Sequence, residues 1–265
     1  MEDKIRLGGM ALVNGVLVHG PASWACAIRN AEGELEVASA YKRLRASEIQ
    51  NPLLRGPAKI AEVFALLPQV RSRLPEARLP FQRPQVLAAM AGTALLVHTL
   101  KESRRLTPLA RELLGGILSL APAAVAVRSS DLAAYHGAEH ISIGSYEHDE
   151  PRAREHERCG SHLLGPLVAS SAIGATLAAK APAHLRVPAR AAAQLGALAA
   201  ATETFGWMTR NPEHPLSRAL AWPGHELQHR LATAEPSAEQ LEVAEAALAA
   251  CLELERAEAD GASQH

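Results

Sequence analysis

The five residues His136-Gly137-Ala138-Glu139-His140 hold three groups able to bind a metal or move a proton. Their pattern is H-x-x-E-H. On a helix His136 and His140 stand one turn apart, so both imidazoles project from one face. Glu139 follows His136 by three residues and lies on the same side. Inverted zincins use this arrangement: two histidines hold the metal and the glutamate takes the proton from its water. Glu147, two turns beyond His140, returns to that face. With 12 histidines in the chain, spacing alone leaves an ordinary helix surface as an equal reading, so the surrounding elements must carry part of the case.

Those elements start with the helix itself. Leu132, Ala133, Ala134 and Ala138 favour helix. Ser129, Ser130 and Asp131 offer an N-cap and an acidic first turn. The expected span is about Asp131 to Tyr146. Gly137 and Gly144 weaken it, but on or near the histidine face a small residue lets another element come close.

Further candidate ligands lie downstream. His156, Cys159 and His162 recur at three-residue spacing before an apolar segment, and on a helix they would share a face and complete a metal shell. Glu203 interrupts the apolar run from Ala199 to Trp207. A carboxylate there must be solvated, paired or liganded, because burying it bare is costly. His225-Glu226-Leu227-Gln228-His229 reads H-E-x-x-H, the ordinary zincin motif, on a helix expected to follow Gly224. The two motifs either converge on one metal or one of them is coincidental.

Composition sets outer bounds. A chain of 265 residues suits one large domain or two small ones. Hydrophobic residues make up 48% and charged residues 21%, which fits a folded chain. The formal net charge of -1, without a sustained basic block, gives nucleic-acid binding no electrostatic support. Apolar content rests on Ala, Leu and Val, the profile of closely packed helices. Cys26, Cys159 and Cys251 are odd in number and far apart, which points to free thiols in a reducing compartment. No apolar run follows the first charged residues, so no signal peptide is expected.

Residues 7–40 read as a small antiparallel β unit. Met10 to Val13 and Val16 to Val18 flank Asn14-Gly15, a two-residue hairpin signal. Trp24 to Ile28 and Leu35 to Val37 flank a second turn at Asn30 to Gly33. His19 reads as a surface residue at the end of this unit. Ile60 to Leu67 should form a short helix that Pro68 ends. Four apolar segments free of charge follow: Pro84 to Leu100, Leu113 to Val127, Leu163 to Ala179 and Ala191 to Thr202. Each is shorter than a full membrane span of ~18–20 residues, and each is rich in small residues. Buried core helices and membrane helices with small-residue packing both fit. The mean hydropathy of -0.02 leans to a soluble protein. Loops are expected at Asn211 to Pro215 and at Trp222 to Gly224. Ser237 and Gln240 form a capping box that opens an amphipathic helix over 236–256, with Leu241, Ala244, Leu248, Cys251 and Leu252 on one face and a frayed tail beyond Glu255.

Several of these pieces together resemble a known family. They are Gly8 to Ala11 with Asn14 to Val16 and Gly20-Pro21; Tyr135 to His140 with Tyr146-Glu147; His156 to Gly160; Glu203; Pro223-Gly224 with Leu227-Gln228; Thr233 to Pro236; and Leu241 to Ala244. The chain resembles the YqhQ family, bacterial proteins of unknown function labelled as metal-dependent enzymes. The likeness covers nearly the whole chain. It implies a multi-spanning membrane protein with soluble ends, and it singles out His136, Glu139, His140, Glu147, His156 and Cys159. The H-E-x-x-H at 225–229 falls where the family pattern does not place it.

The sequence therefore predicts one domain over 1–265, mostly α with a small N-terminal β unit and a helical core over 84–208, open to membrane embedding. A divalent metal, zinc before others, is expected on His136 and His140. Glu147, His156 or Glu203 supplies a third ligand, and Cys159, His225 and His229 are further candidates. Glu139 is the general base of a hydrolase. Membrane lipid is an expected partner, with the site facing the cytoplasm; a soluble cytoplasmic protein is the alternative. The competing function is a non-catalytic scaffold with a closed, four-ligand structural site. A redox site of histidines and carboxylates ranks last, because the paired E-x-x-H repeats are missing.

Overall fold

Asn14 and Gly15 close a hairpin between β1 (Gly8–Leu12) and β2 (Gly15–His19), with Gly9 opposite Val18. The Asn14 side chain locks this turn to two other segments. It donates to the carbonyls of Arg29 (2.8 Å) and Glu76 (3.2 Å) and accepts from the Arg78 N–H (2.9 Å). The strands β3 (Ser23–Arg29) and β4 (Leu35–Tyr41) extend the sheet in the order β1-β2-β3-β4, all antiparallel. Between them Asn30 Oδ1 accepts from the N–H groups of Glu32 and Glu34, and Gly33 takes a φ of 82° that favours glycine. The expected β unit is thus present. The computed structural model describes residues 4–103, 105–128 and 131–262. Ser129 and Ser130, the expected helix cap, lie outside the described residues.

Nine α-helices follow among the described residues. They are α1 (Pro52–Arg73), α2 (Pro84–Glu102), α3 (Pro108–Leu118), α4 (Ala121–Arg128), α5 (Leu132–His148), α6 (Leu164–Ala179), α7 (Arg186–Arg210), α8 (Pro215–Leu227) and α9 (Ala238–Ala262). Side chains alternate across the sheet with a period of two. Val16, Val18, Ala25 and Ala27 face α5 and α9, where Tyr135, Ala138, Val243, Ala247 and Cys251 meet them. Leu17, Trp24, Cys26 and Ile28 face α1 through Leu66, Leu67 and Val70. The sheet is covered on both faces, and the motif helix belongs to one cover.

Three sequence expectations need correction here. The short helix at 60–67 is part of α1, which Asn51 caps through its side chain and which runs on past Pro57 and Pro68. Pro68 sits on the solvent side, where water can satisfy the carbonyl it frees, while Leu66, Leu67 and Val70 pack under Trp24. Packing outweighs the proline penalty. Trp222 to Gly224 is helical rather than a loop. It lies within α8, and a Cβ on Gly224 would come within 2.6 Å of the Ser161 carbonyl oxygen, so this glycine serves close approach and not a turn. His19 is not a surface residue: its Nδ1 lies 3.1 Å from Lys42 Nζ, and Lys42 pairs with the buried Glu62. Burial and the Lys42 charge hold His19 down at about 4.

The four apolar segments become α2, the α3–α4 pair, α6 and α7. Two stretches of 20 residues, Leu109–Arg128 and Gly160–Ala179, are long and apolar enough to cross a membrane. Only 11% and 22% of their apolar windows are buried, so they are not core helices of the usual kind. Leu95, Leu114, Ile117, Ile173, Leu177 and Leu195 all point outward.

The capping box at the start of α9 is formed in both directions: Ser237 N–H donates to Gln240 Oε1 (2.9 Å), and Gln240 N–H donates to Ser237 Oγ (3.2 Å). The helix does not fray at Glu255. Instead the Glu255 carboxylate is buried and accepts from the N–H groups of Ala22 (2.9 Å) and Ser23 (2.6 Å) and from Ser23 Oγ (2.7 Å). It ties α9 to the β2–β3 turn.

Glu255→Ala would strand those three donors and should lower unfolding free energy by about 3 kcal/mol, read by denaturant titration. A second expectation concerns pH. The unfolded chain takes up a proton at His19 near pH 6.5 and the folded chain near 4. The stability tied to this residue is therefore whole above pH 6.5 and lost as pH falls towards 4. His19→Gln should flatten the stability–pH slope in that window.

Candidate metal centre

Helix α5 carries His136, Glu139, His140 and Glu147 on one side, as the spacing requires. Two glycines on this helix decide what can approach it. A Cβ on Gly137 would come within 2.2 Å of the Ala234 carbonyl oxygen, and one on Gly144 within 3.2 Å of Arg152 Cβ. Through these gaps two backbone segments press onto the histidine face. A π-helical turn, Gln228–Ala232, delivers the first. The second is the loop after α5, which turns at Asp149 with a φ of 57°.

Each segment fixes one imidazole. The Nδ1–H of His136 donates to the Ala232 carbonyl (2.9 Å), and that of His140 donates to the Arg154 carbonyl (2.7 Å). A carbonyl can only accept, so Nδ1 carries a proton in both rings, and a neutral ring held this way has its lone pair on Nε2. Metal-binding histidines are oriented in this way. The rings lie 4.2 Å apart between centroids.

Cys159 completes the group. Its Sγ lies 3.6 Å from His136 Nε2, and one ligand atom from each of His136, His140 and Cys159 falls within 4.8 Å of the other two. Tetrahedral zinc with ordinary Zn–N and Zn–S lengths sets its ligand atoms about 3.5 Å apart, so the spacing and the donor set both fit. Gln228 holds the Cys159 loop. Fully buried, it accepts from the His156 N–H (2.9 Å) and donates to Ser161 Oγ (2.7 Å).

Glu139 is buried, with Oε2 at 3.8 Å from His136 Nε2 and 3.9 Å from His140 Nε2. It has room because β1 has no side chain opposite: a Cβ on Gly9 would sit 2.3 Å from Glu139 Oε1. Burial pushes the Glu139 carboxyl above the usual carboxylate range. Burial also holds His140 below the ordinary imidazole value, which keeps the ring neutral at neutral pH.

The other candidates have partners of their own. Glu147 and His156 are bonded to each other (Oε2 to Nε2, 3.1 Å), and Glu147 also pairs with Arg158. The His156 ring is 5.4 Å from the His140 ring. The segment from 149 to 159 is not helical, so His156, Cys159 and His162 do not share a helical face. His162 instead donates to the Glu157 carbonyl (2.8 Å). Glu203 is held by the Arg55 guanidinium of α1, with Nε to Oε1 at 2.5 Å. The H-E-x-x-H residues straddle the end of α8 and the π-helical turn; His229 is exposed and pairs with Glu155 (3.0 Å), and His225 stacks on it at 6.4 Å. Gln228 and Gly9, which support the site without binding the metal, were not candidates. Both fall in runs that carry the family resemblance, the one signal that pointed to them.

A family model described as a protein of unknown function (DUF1385) matches residues 116–254, more than half of the chain. That span includes the whole metal group. Neither a curated protein nor a solved structure matches the chain.

Gly137→Ala should push the 232–234 segment off α5 and free the His136 ring. Zinc affinity, measured by competition with a chromophoric chelator, is expected to fall about 10–100-fold while the far-ultraviolet circular dichroism is unchanged.

Proposed function

The chain belongs to the DUF1385 family, and we propose that it is a membrane-embedded, metal-dependent hydrolase. The observation that carries the reading is a three-ligand His136/His140/Cys159 group with the Glu139 carboxylate beside both free Nε2 atoms. Three protein ligands leave a tetrahedral ion one open position, the pattern of catalytic zinc sites. The likeness to the YqhQ family, labelled as metal-dependent enzymes, agrees with it.

A divalent metal at this group would supply Lewis acidity and acidify a water that it binds. The chain supplies the rest. Glu139 stands where it can accept the proton of the attacking water and pass it to the leaving group. Its burial against Gly9 excludes solvent and raises its basicity. The carbonyls of Ala232 and Arg154 keep both imidazoles facing the same point. An ester, amide or peptide bond suits this chemistry.

A structural site in a scaffold protein is the second reading, because His156 is close enough to His140 for a fourth ligand. Its bond to Glu147 argues for the open site.

Elemental analysis of protein purified without added metal should find about one equivalent of a transition metal, absent from His136→Ala/His140→Ala. Glu139→Gln should keep the metal and lose at least 100-fold in turnover across a panel of esters and amides. If the Glu139→Gln variant hydrolyses as the parent does, the hydrolase reading fails. Collapse of the fold together with metal loss would favour the scaffold.

A further inference from the structure

The metal group is placed where the two membrane-length stretches meet polar chain. Leu109–Arg128 ends just before α5, and Gly160–Ala179 begins at the residue after Cys159. Both stretches turn most of their apolar surface outward. The site therefore sits at the boundary between an apolar layer and a charged one.

A cleft of about 650 Å³ opens beside it, between the loop after α5 and the ends of α7 and α8. Its lining is mixed. It includes the apolar side chains Phe205 and Met208 of α7 and Trp222 of α8 together with the polar His156, Arg158 and His225. His156 belongs to both places: it lines the cleft, and its ring lies 5.4 Å from the His140 ring. Trp222 is 63% exposed, so the cleft presents an apolar side chain to the outer surface.

One group in the cleft asks for a partner. Ser217 lines it, is 2% exposed, and its Oγ has no hydrogen-bond partner among the described residues. A buried hydroxyl left unbonded is costly, and a polar group entering the cleft would satisfy it. The charges are already balanced. Arg158 pairs with Glu147, and Arg218 with Glu213. A strongly anionic head would meet carboxylates as well as guanidinium groups, whereas an uncharged or zwitterionic head would not be opposed. The lining comes from helices and loops, and no strand edge among the described residues contributes to it. An extended peptide would have no backbone ladder to join.

We infer that the substrate is an amphiphile with an uncharged or zwitterionic polar head, which enters from the membrane side, lays its hydrocarbon part along Phe205, Met208 and Trp222, and seats its head at Ser217 and His156. This rests on the hydrolase reading for its chemistry, and on the cleft alone for its binding.

The test uses the full chain, metal-loaded and held in an amphipathic polymer, titrated calorimetrically with monomeric dihexanoyl phosphatidylcholine. Saturable one-to-one binding is expected. Ser217→Phe, which fills the cleft, should weaken it at least tenfold. Trp222→Ser, on the exposed rim where no core depends on it, should weaken it several-fold with thermal stability unchanged. Glu139→Gln should bind as the parent does. Non-saturable uptake, insensitivity to both cleft variants, or equal binding of a water-soluble N-acetyl dipeptide amide overturns the inference. Metal content measured on the same samples keeps the two readings apart: binding without metal sinks the hydrolase and leaves the cleft assignment standing, while metal without binding does the reverse.

Discussion

An imidazole on a helix can turn about its side-chain bonds, so two histidines one turn apart do not make a metal site by spacing alone. Something must hold both rings. Here two backbone carbonyls do so, each from a segment remote from α5 in the chain or doubled back on it: Ala232 for His136 and Arg154 for His140. Backbone is a stiff support, and a carbonyl admits only one tautomer of the ring it holds. The rest of the site follows from bringing those carbonyls in. Gly137 makes room for the first, Gly144 for the loop that carries the second, and Gly9 for the carboxylate between them. Gln228 then fixes the loop that presents Cys159.

Much of this was legible in the sequence where the determinants are local. The H-x-x-E-H face needs only helical periodicity. The Asn14-Gly15 hairpin and the Ser237 capping box need only a few adjacent residues, and each has the expected geometry. The choice among the candidates for a third ligand was not legible: Cys159 stood beside His156 on a three-residue spacing that counts only on a helix, and the chain from 149 to 159 is a loop. In that loop Glu147 draws His156 and Arg158 to itself, and Cys159 is the residue left facing His136. Glu203 shows a second kind of blindness. That an isolated carboxylate in an apolar run needs a partner is readable; that the partner is Arg55, on a helix far earlier in the chain, is a matter of tertiary packing between α1 and α7. Pro57 and Pro68 inside α1 make the same point for secondary structure, since a buried apolar stripe kept a helix that local preference would have ended.

The overall hydropathy averages unlike parts of the chain. Charged loops and the charged helices α1 and α9 offset the apolar stretches, and the mean of -0.02 describes neither part. What separates a membrane helix from a core helix is where its apolar surface goes. Ile117, Ile173, Leu177 and Leu195 point away from the protein. Water around such a surface would be costly, at about 25 cal/mol for each Å² exposed. A bilayer removes that cost, and the small residues between α6 and α7 then supply close packing, as where a Cβ on Gly174 would lie 3.1 Å from the Ala193 carbonyl oxygen.

These two parts of the molecule constrain each other at one place. Cys159 is both the third member of the candidate metal group and the residue before a membrane-length stretch, so any bilayer that took up that stretch would set the depth of the site. The sheet and α9 pack on α5, where Glu255 and the two-sided packing tie them together and Gly9 of β1 meets Glu139. Helix α5 thus lies between that unit and the segments that lead into the two membrane-length stretches. On the proposed hydrolase reading, chemistry on a bond at the surface of an apolar layer needs a site polar enough to activate water and buried enough to keep the Glu139 carboxyl basic, and a cysteine at the root of Gly160–Ala179 would place it there.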